Sequence, residues 1–510
     1  MTGRLGIALG LCAAAIAATG CGGGGGGSDV DVGPAAAVPG NAPVYIEATV
    51  RPEGEAATNA NAALGKILDA PDGGTKLVSL IEQSAAEEGD QVNFAQDIEP
   101  WLGDEVGVFF TNFADDSDGA VVIESTDNDA AQAFLDKAAE QGSTTEDVGG
   151  HQVQVEPDGD VSGIAGDFVI SGSKTGFQAA ADAESGDSLG DSDEFKDSID
   201  DLPDDSLGTL YAQPKDFLEA IPQDDLDPNA RSTFENAIGD AADEPVVGSV
   251  TASAEDIELE LSAAGGADTP QGSLIDSVPA QAWLALSIGD LGDVAKRAVD
   301  NLRDAGIPNF EQGLEQVEGT TGASVEDLTN ALGDSALYVG GTNLQSLNGA
   351  LVIQSEDTEL TGRLITQLQS LITAAPSGRA KELALPGGGT GFSFSDPTEA
   401  PQPFEVAQQG DKIAIAYGTG SAQQVLGGGA AGGQLSTTPA FAAAAGKLES
   451  LGVDLFLSFP TVFQFAESQG ASQDPEFQQA KPYIDALDYL AIGSGDEDDR
   501  AQVRFIVGLK

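Results

Sequence analysis

The chain is short of the side chains on which most catalysis depends. Its 510 residues include one histidine, two cysteines and only 21 lysines and arginines. A lone histidine, His151, does not build a histidine-rich zinc site, although carboxylates could join it. Cys12 lies in a stretch expected to be removed, and Cys21 is expected to carry lipid. No thiol is then left for a disulfide, a nucleophile or a cysteine metal site. Cations are scarce against 84 aspartates and glutamates, and the formal charge is −63. Nucleic acid is excluded as a partner, because phosphate binding needs clustered Lys and Arg. Lying flat on an anionic membrane is disfavoured for the same reason. Such a surface repels itself and stays solvated; the sharper use is weak binding of calcium or of a cationic ligand. Long apolar runs are missing too. Outside residues 5–18, nothing approaches the eighteen consecutive apolar residues of a membrane-spanning helix.

An export signal comes first among the features that are present. Arg4 precedes the apolar run 5–18, and Ala18-Thr-Gly-Cys21 follows it, then six glycines. A short apolar segment ending in small residues reads as a signal peptide over 1–20. Small residues ending directly in cysteine read as a lipobox, whose Cys21 becomes acylated and the new N-terminus. Residues 21–37 then form a glycine-rich tether. Stable anchoring needs more than one acyl chain, which a diacylated Cys21 supplies. The expected location is extracytoplasmic, with the bilayer held through Cys21.

The body of the chain matches itself. Val38-Pro-Gly-Asn-Ala-Pro-Val-Tyr-Ile46 resembles Val278-Pro-Ala-Gln-Ala-Trp-Leu-Ala-Leu286. Trp101-Leu-Gly-Asp-Glu-Val-Gly-Val108 resembles Ala331-Leu-Gly-Asp-Ser-Ala-Leu-Tyr338, and Gly119-Ala-Val-Val-Ile resembles Gly349-Ala-Leu-Val-Ile. Asp167 with Gly176 matches Asp411 with Gly420, and Pro214 with Phe217 matches Pro460 with Phe463. The matches keep their order at offsets of 230 to 246. Two tandem copies are expected, 38–266 and 278–510, joined by 267–277. Each copy mixes strands with helices. Residues 44–50, 107–110 and 121–124 read as strands, as do 283–288, 337–340 and 351–354. Helices follow at 129–140 and around Leu360, Leu364 and Leu368, with Asp127 and Asp357 as caps. Alternation at Ile257, Leu259 and Leu261, and again at Val503, Phe505 and Val507, marks terminal hairpins. Adjacent terminal strands and irregularly spaced helices give α+β, largely antiparallel, rather than a doubly wound sheet.

The opening Pro39 to Pro52, with Tyr45-Ile-Glu-Ala-Thr-Val-Arg-Pro52, and Trp101-Leu-Gly-Asp-Glu-Val106 resemble the bacterial domain-of-unknown-function family 3352. These are strand and turn motifs and carry no chemistry. The resemblance covers nearly the whole mature chain. It implies an exported envelope protein of the actinobacterial kind and brings no functional residues with it.

Motifs that invite a catalytic reading fail on context. Gly186-Asp-Ser-Leu-Gly190 fits the G-x-S-x-G elbow, but Ser188 follows a helical stretch and His151 precedes it in the chain. Ser171-Gly-Ser-Lys174 and Lys174-Thr-Gly176 share one lysine where penicillin-binding enzymes use two. Gly427 to Gly432 fits G-x-G-x-x-G but follows a helix instead of a strand. Asp158-Gly-Asp begins like a calcium loop, yet Val169 stands where a bidentate Glu is required. Asp187, Asp191, Asp193 and Glu194, and the residues 496–499, are acidic clusters without loop spacing. No catalytic, metal or cofactor residue is singled out. The favoured reading is a non-enzymatic lipoprotein binding an apolar small molecule or an envelope protein. A carboxylate-dependent hydrolase and a structural spacer are the alternatives.

Overall fold

Alternation sets the strands. In Val44–Thr49, β-branched and aromatic residues take turns facing two sides, and Tyr45 is buried while Ile46 is exposed. The computed structural model describes residues 33–510 apart from 89–91, 114–117, 140–141, 223–230, 232–242, 266–271, 305–306, 308, 375–379, 396–400, 428–432, 449 and 498–499. The expected signal peptide, Cys21 and the glycine run lie outside the described residues. The chain divides into two compact units, Met1–Gly265 with Leu509–Lys510, and Gly266–Gly508.

The first unit holds β1 (Val44–Thr49), β2 (Leu102–Phe110), β3 (Gly119–Ser125), β4 (Thr144–Val148), β5 (His151–Val155), β6 (Val161–Ala165), β7 (Phe168–Gly172), β8 (Gly208–Ala212), β9 (Val246–Ala252) and β10 (Asp256–Ala264). They lie in the order β4-β5-β6-β7-β3-β2-β1-β8-β9-β10, every neighbour antiparallel. The second unit holds β11 (Ala282–Ile288), β12 (Leu332–Gly340), β13 (Asn348–Ser355), β14 (Lys381–Glu382), β15 (Thr390–Phe394), β16 (Phe404–Gln409), β17 (Lys412–Tyr417), β18 (Leu455–Ser458), β19 (Leu487–Glu497) and β20 (Arg500–Leu509). Their order is β14-β15-β16-β17-β13-β12-β11-β18-β19-β20, antiparallel from β14 to β19. Adding ten to each strand number of the first sheet gives the second. The fold is α+β with largely antiparallel sheets.

One face of each sheet is closed by the segment that leads into it. Gly33–Ala37, expected to be the end of the tether, is a buried 3-10 turn whose Ala35 and Ala37 join the core with Tyr45, Phe109, Phe177 and Tyr211. Leu274 and Ile275, expected in the linker, are core residues of the second unit beside Tyr338, Phe441 and Phe456. The same bond pins both segments: Leu189 N–H donates to the Val38 carbonyl at 2.7 Å, and Leu435 N–H to the Val278 carbonyl at 2.8 Å. Buried backbone groups must find partners, so these short segments are fixed as firmly as strands. These segments are part of the cores that follow them.

The residue match across β2 and β12 also shifts. Leu102 and Val106 face Ser125 and Ile123, whereas Leu332 and Ser335 face Ser355 and Ile353. The first unit thus carries one more residue in its bulge, and beyond it Val108 corresponds to Leu337, not to Tyr338. A one-residue step turns every side chain to the other face, so the correction decides which residues line which side.

Helices lie over the other faces. In the first unit they are α1 (Gly54–Ile67), α2 (Gly73–Glu88) and α3 (Asn128–Ala138), with α4 (Lys174–Glu184) on the closed side. In the second they are α5 (Leu291–Asp304), α6 (Phe310–Thr321), α7 (Val325–Asn330) and α8 (Thr358–Ala374), with α9 (Ser421–Leu426) on the closed side. Asp127 starts α3 by accepting from the amides of Asp129 and Ala130 at 3.1 and 3.0 Å. Asp357 starts α8 in the same way, from Glu359 and Leu360 at 3.1 and 2.9 Å.

Candidate functional site

The helix-covered faces differ between the units. In the first, directly opposed residues run Ile46, Val108, Val121, Ser171, Ser162 from β1 to β6. The row ends in two serine hydroxyls 2.9 Å apart. In the second, the corresponding row is Leu286, Leu337, Leu351, Ile415, Val406. It continues the other way through Leu455 and Ile492, so it is apolar throughout.

The cover differs as well. Over the first row sit Phe94, Ile98, Trp101 and Leu135, all buried with Val106, Val108 and Val121. The Trp101 ring lies 5.6 Å from that of Phe134, tilted by 34°, and its indole N–H donates to the Asp97 carbonyl at 2.8 Å. The bond from Thr126 N–H to the Trp101 carbonyl recurs as Glu356 N–H to Ala331, so alanine stands where the first unit has tryptophan. Among the described residues, Ile353, Ile365, Phe392, Val406 and Ile413 form the buried cluster on this side of the second unit, with Leu291, Leu351, Ile372 and Phe394 packed against it. Helix α5 packs on β12 and α8 on β15 and β16, with β13 and β17 between them. There Leu351 is half-buried and Ile415 is 47% exposed. The helices add exposed apolar residues of their own: Val294 and Leu302 on α5, Val317 on α6, and Leu368 and Leu371 on α8.

At the edge of this face lies a cavity of about 630 Å³ lined by Asp290, Asp293, Asp334, Glu356 and Leu332, among others, with no lysine or arginine. Leu332 also packs on the cluster around Ile353, which joins the cavity to the apolar face. The walls are built for close approach. A Cβ on Gly292 would sit 2.4 Å from the Thr329 carbonyl, and Asp290 takes φ +43° at the turn into α5. Asp334 holds the rim, accepting from the Ser273 amide and hydroxyl at 3.2 and 3.0 Å and from the Asp290 amide at 3.2 Å. A smaller cavity in the first unit, about 240 Å³, contains Lys215 paired with Asp243 at 2.9 Å. That bond raises the Lys215 pKa.

The motifs singled out in the sequence are otherwise engaged. Ser188 is buried, and its hydroxyl donates to Asp191 at 3.0 Å as part of a 3-10 cap. His151 Nδ1 lies 3.1 Å from the Ile164 carbonyl oxygen, with the ring edge-on to Phe177. Lys174 pairs with Glu146 at 2.7 Å, and Ser173 caps α4 through the Gly176 amide at 2.9 Å. Asp158 forms an Asx turn to the Asp160 amide at 3.2 Å, while Val169 is buried in β7. Burial, helped by the charge of Asp158, raises the Asp160 pKa. Asp187 is exposed, Asp193 starts a short helix and Glu194 lines the smaller cavity. Gly427 follows α9, and 428–432 and 498–499 lie outside the described residues. Among the described residues, no three His, Cys, Asp or Glu side chains group as metal ligands, and no helix is long and apolar enough to cross a membrane.

Two units whose ten strands follow one order, with helices on their faces, make this an α+β protein. The chain belongs to the family described as a protein of unknown function, DUF3352, whose model matches residues 6–509. No curated protein matches it. Among solved structures it is similar to crystal forms I and IV of TP0453, at 12% and 11% identity. These alignments cover 78% of this chain and 97% and 96% of those, with TM-scores of 0.16 and 0.17. So low a TM-score adds nothing to the description of the fold.

Proposed function

We propose that the chain is a lipid-anchored, extracytoplasmic binding protein of the cell envelope, made of one duplicated unit. The first copy is the scaffold, with Trp101 and its neighbours covering Val108 and Val121. The second binds an apolar small molecule on its half-open helix-covered face. One observation carries the proposal: the row Leu286, Leu337, Leu351, Ile415 stays apolar, Ile415 in it is 47% exposed, and alanine stands at 331 where Trp101 covers the first row. Exposed apolar surface of this kind costs stability unless something occupies it, and contiguous patches mark binding sites. Duplication is supported by the identical strand order. A binding role in place of catalysis is supported by the engagement of Ser188, His151 and Lys174 in caps and pairs.

Small molecules co-purifying with the full chain, released by organic solvent and weighed by mass spectrometry, test the binding role. An apolar compound near one equivalent, lost in Ile415→Asp, is expected; preparations without any such compound, together with a reproducible hydrolase activity, would overturn the proposal. Anchoring is tested apart from binding. Cys21→Ala is expected to move the protein into detergent-free supernatant, and unchanged membrane retention and processing would remove the lipid anchor.

A further inference from the structure

The second unit's open face and its cavity lie side by side and differ in chemistry. The face is apolar, with Leu351 and Ile415 between α5 and α8. The cavity presents Asp290, Asp293, Asp334 and Glu356, and Leu332 belongs to both. We infer that this site takes a small amphiphilic cation, whose apolar body lies on Leu351 and Ile415 and whose ammonium group faces Asp293 and Glu356. The inference rests on the binding role proposed above and adds the class of ligand.

Two features fix that class. The first unit closes the equivalent face with its own apolar and aromatic side chains, Phe94, Ile98 and Trp101, so the space is shaped for an apolar body. Charge decides the rest. No cation lines the cavity, and four carboxylates there repel an anionic head while they attract a protonated amine. The cavity, about 630 Å³, is lined by the carboxylates and Leu332 and not by Leu351 or Ile415, so it takes the head group and leaves the apolar body to the neighbouring face. The smaller cavity of the first unit lacks this character, because Lys215 already sits among its carboxylates.

The test is calorimetric titration of the full chain at physiological salt with octylammonium, octanoate, 1-octanol and methylammonium. Octylammonium is expected to bind one to one and about tenfold or more tighter than octanoate or octanol, a difference of about 1.4 kcal/mol. Asp293→Asn should weaken octylammonium alone. Ile415→Ser, which installs the residue of the first unit at an exposed position, should weaken octylammonium and octanol together. Octanol binding as tightly as octylammonium would overturn the inference about charge and leave the apolar binding role standing. Failure of every alkyl probe would overturn both. Binding of methylammonium equal to octylammonium, at many sites, would reduce the effect to the net charge of the chain and overturn the inference.

Discussion

The two units face the same task, covering the second side of a ten-stranded sheet, and use different amounts of their own chain for it. The first brings Trp101 and the turn Phe94–Ile98 down onto Val106, Val108 and Val121. The second has Ala331 in place of Trp101, strongly amphipathic helices with exposed leucines and valines, and an apolar row running where the first has a serine pair. One topology thus tolerates a filled and an unfilled version of one layer. The closed sides are not free to differ in this way: both are fully packed, from Ala35 and Tyr45 in one to Ile275 and Tyr338 in the other. Folding is secured on one face, and the opposite face differs between the copies.

The largest effect expected separates the two covers. Trp101→Ala removes a side chain 1% exposed, together with its contact to Phe134 and its bond to Asp97. A loss of about 3–5 kcal/mol in urea unfolding followed by circular dichroism is expected, as for other large-to-small core changes. Leu371→Ala, on α8 of the second unit, removes a side chain 53% exposed. A change within about 0.5 kcal/mol is expected there. Equal losses for the two variants would mean that the faces are covered alike, and the comparison would break.

Much of the fold was legible in the sequence, and the open face was not. Period-two alternation placed β10 and β20, strand-like openings placed β1 and β11, and Asp127 and Asp357 announced the starts of α3 and α8. The failure of Ser188 as an elbow was readable from the helix ahead of it, which is α4. Alternation identifies an apolar side but says nothing of what covers it, because cover comes from residues distant in the chain. The pairing of Trp101 with Ala331 was visible, and only packing gives it meaning. The extra bulge residue in β2 was hidden because Leu102-Gly-Asp104 and Leu332-Gly-Asp334 read alike on the near side of it. Gly33–Ala37 looked like tether because alanine and proline carry no periodic signal.

A middle effect sharpens the comparison on the closed sides. Ser173 caps α4 locally, from the residue just before the helix. In the second unit Gly420 holds that place, and the cap comes from the sheet: Glu405, 2% exposed, accepts from the Gly420 and Ala422 amides at 2.8 and 3.1 Å. The first unit has Val161 at the matching register position. Burial pushes the nearby Tyr338 phenol up to about 12, against the pull of Ser421, and the charge of Glu405 adds to the rise. Glu405→Ala leaves the buried Ala422 amide and the half-buried Gly420 amide without their acceptor, and a loss of about 2–3 kcal/mol is expected. Ser173→Ala should cost about 1 kcal/mol, as other cap deletions do. The reverse order in urea unfolding would show that the local cap, not the strand carboxylate, holds the closed side.

The smallest effect concerns a carboxylate that changes strand between the units. In the first, Glu47 on β1 accepts from the Tyr45 hydroxyl, and Thr209 lies opposite it on β8. In the second, Ser287 stands on the central strand, and its amide donates to the carbonyl of Asp454 at 2.6 Å. Burial raises the Asp454 pKa above its ordinary 3.8, while the Ser494 hydroxyl, donating at 2.6 Å, pulls it back. A carboxyl group whose pKa is higher in the folded chain than in the unfolded chain binds its proton better when folded. Its contribution is fully present below pH 3.8 and is lost as the pH rises through the raised value. Above that, the folded state carries a partly buried charge whose cost only Ser494 offsets. Asp454→Asn keeps an acceptor for Ser494 and removes the charge. Relative to the unchanged chain, the variant should therefore gain stability from about pH 4 towards neutrality and show no gain below the ordinary carboxylate range. Taking the difference between the two proteins at each pH cancels the titration of the other carboxylates, which would otherwise swamp so small a term. A constant difference across the range would mean that Asp454 titrates alike in both states, and that the second unit bears no cost for placing its carboxylate beside β18.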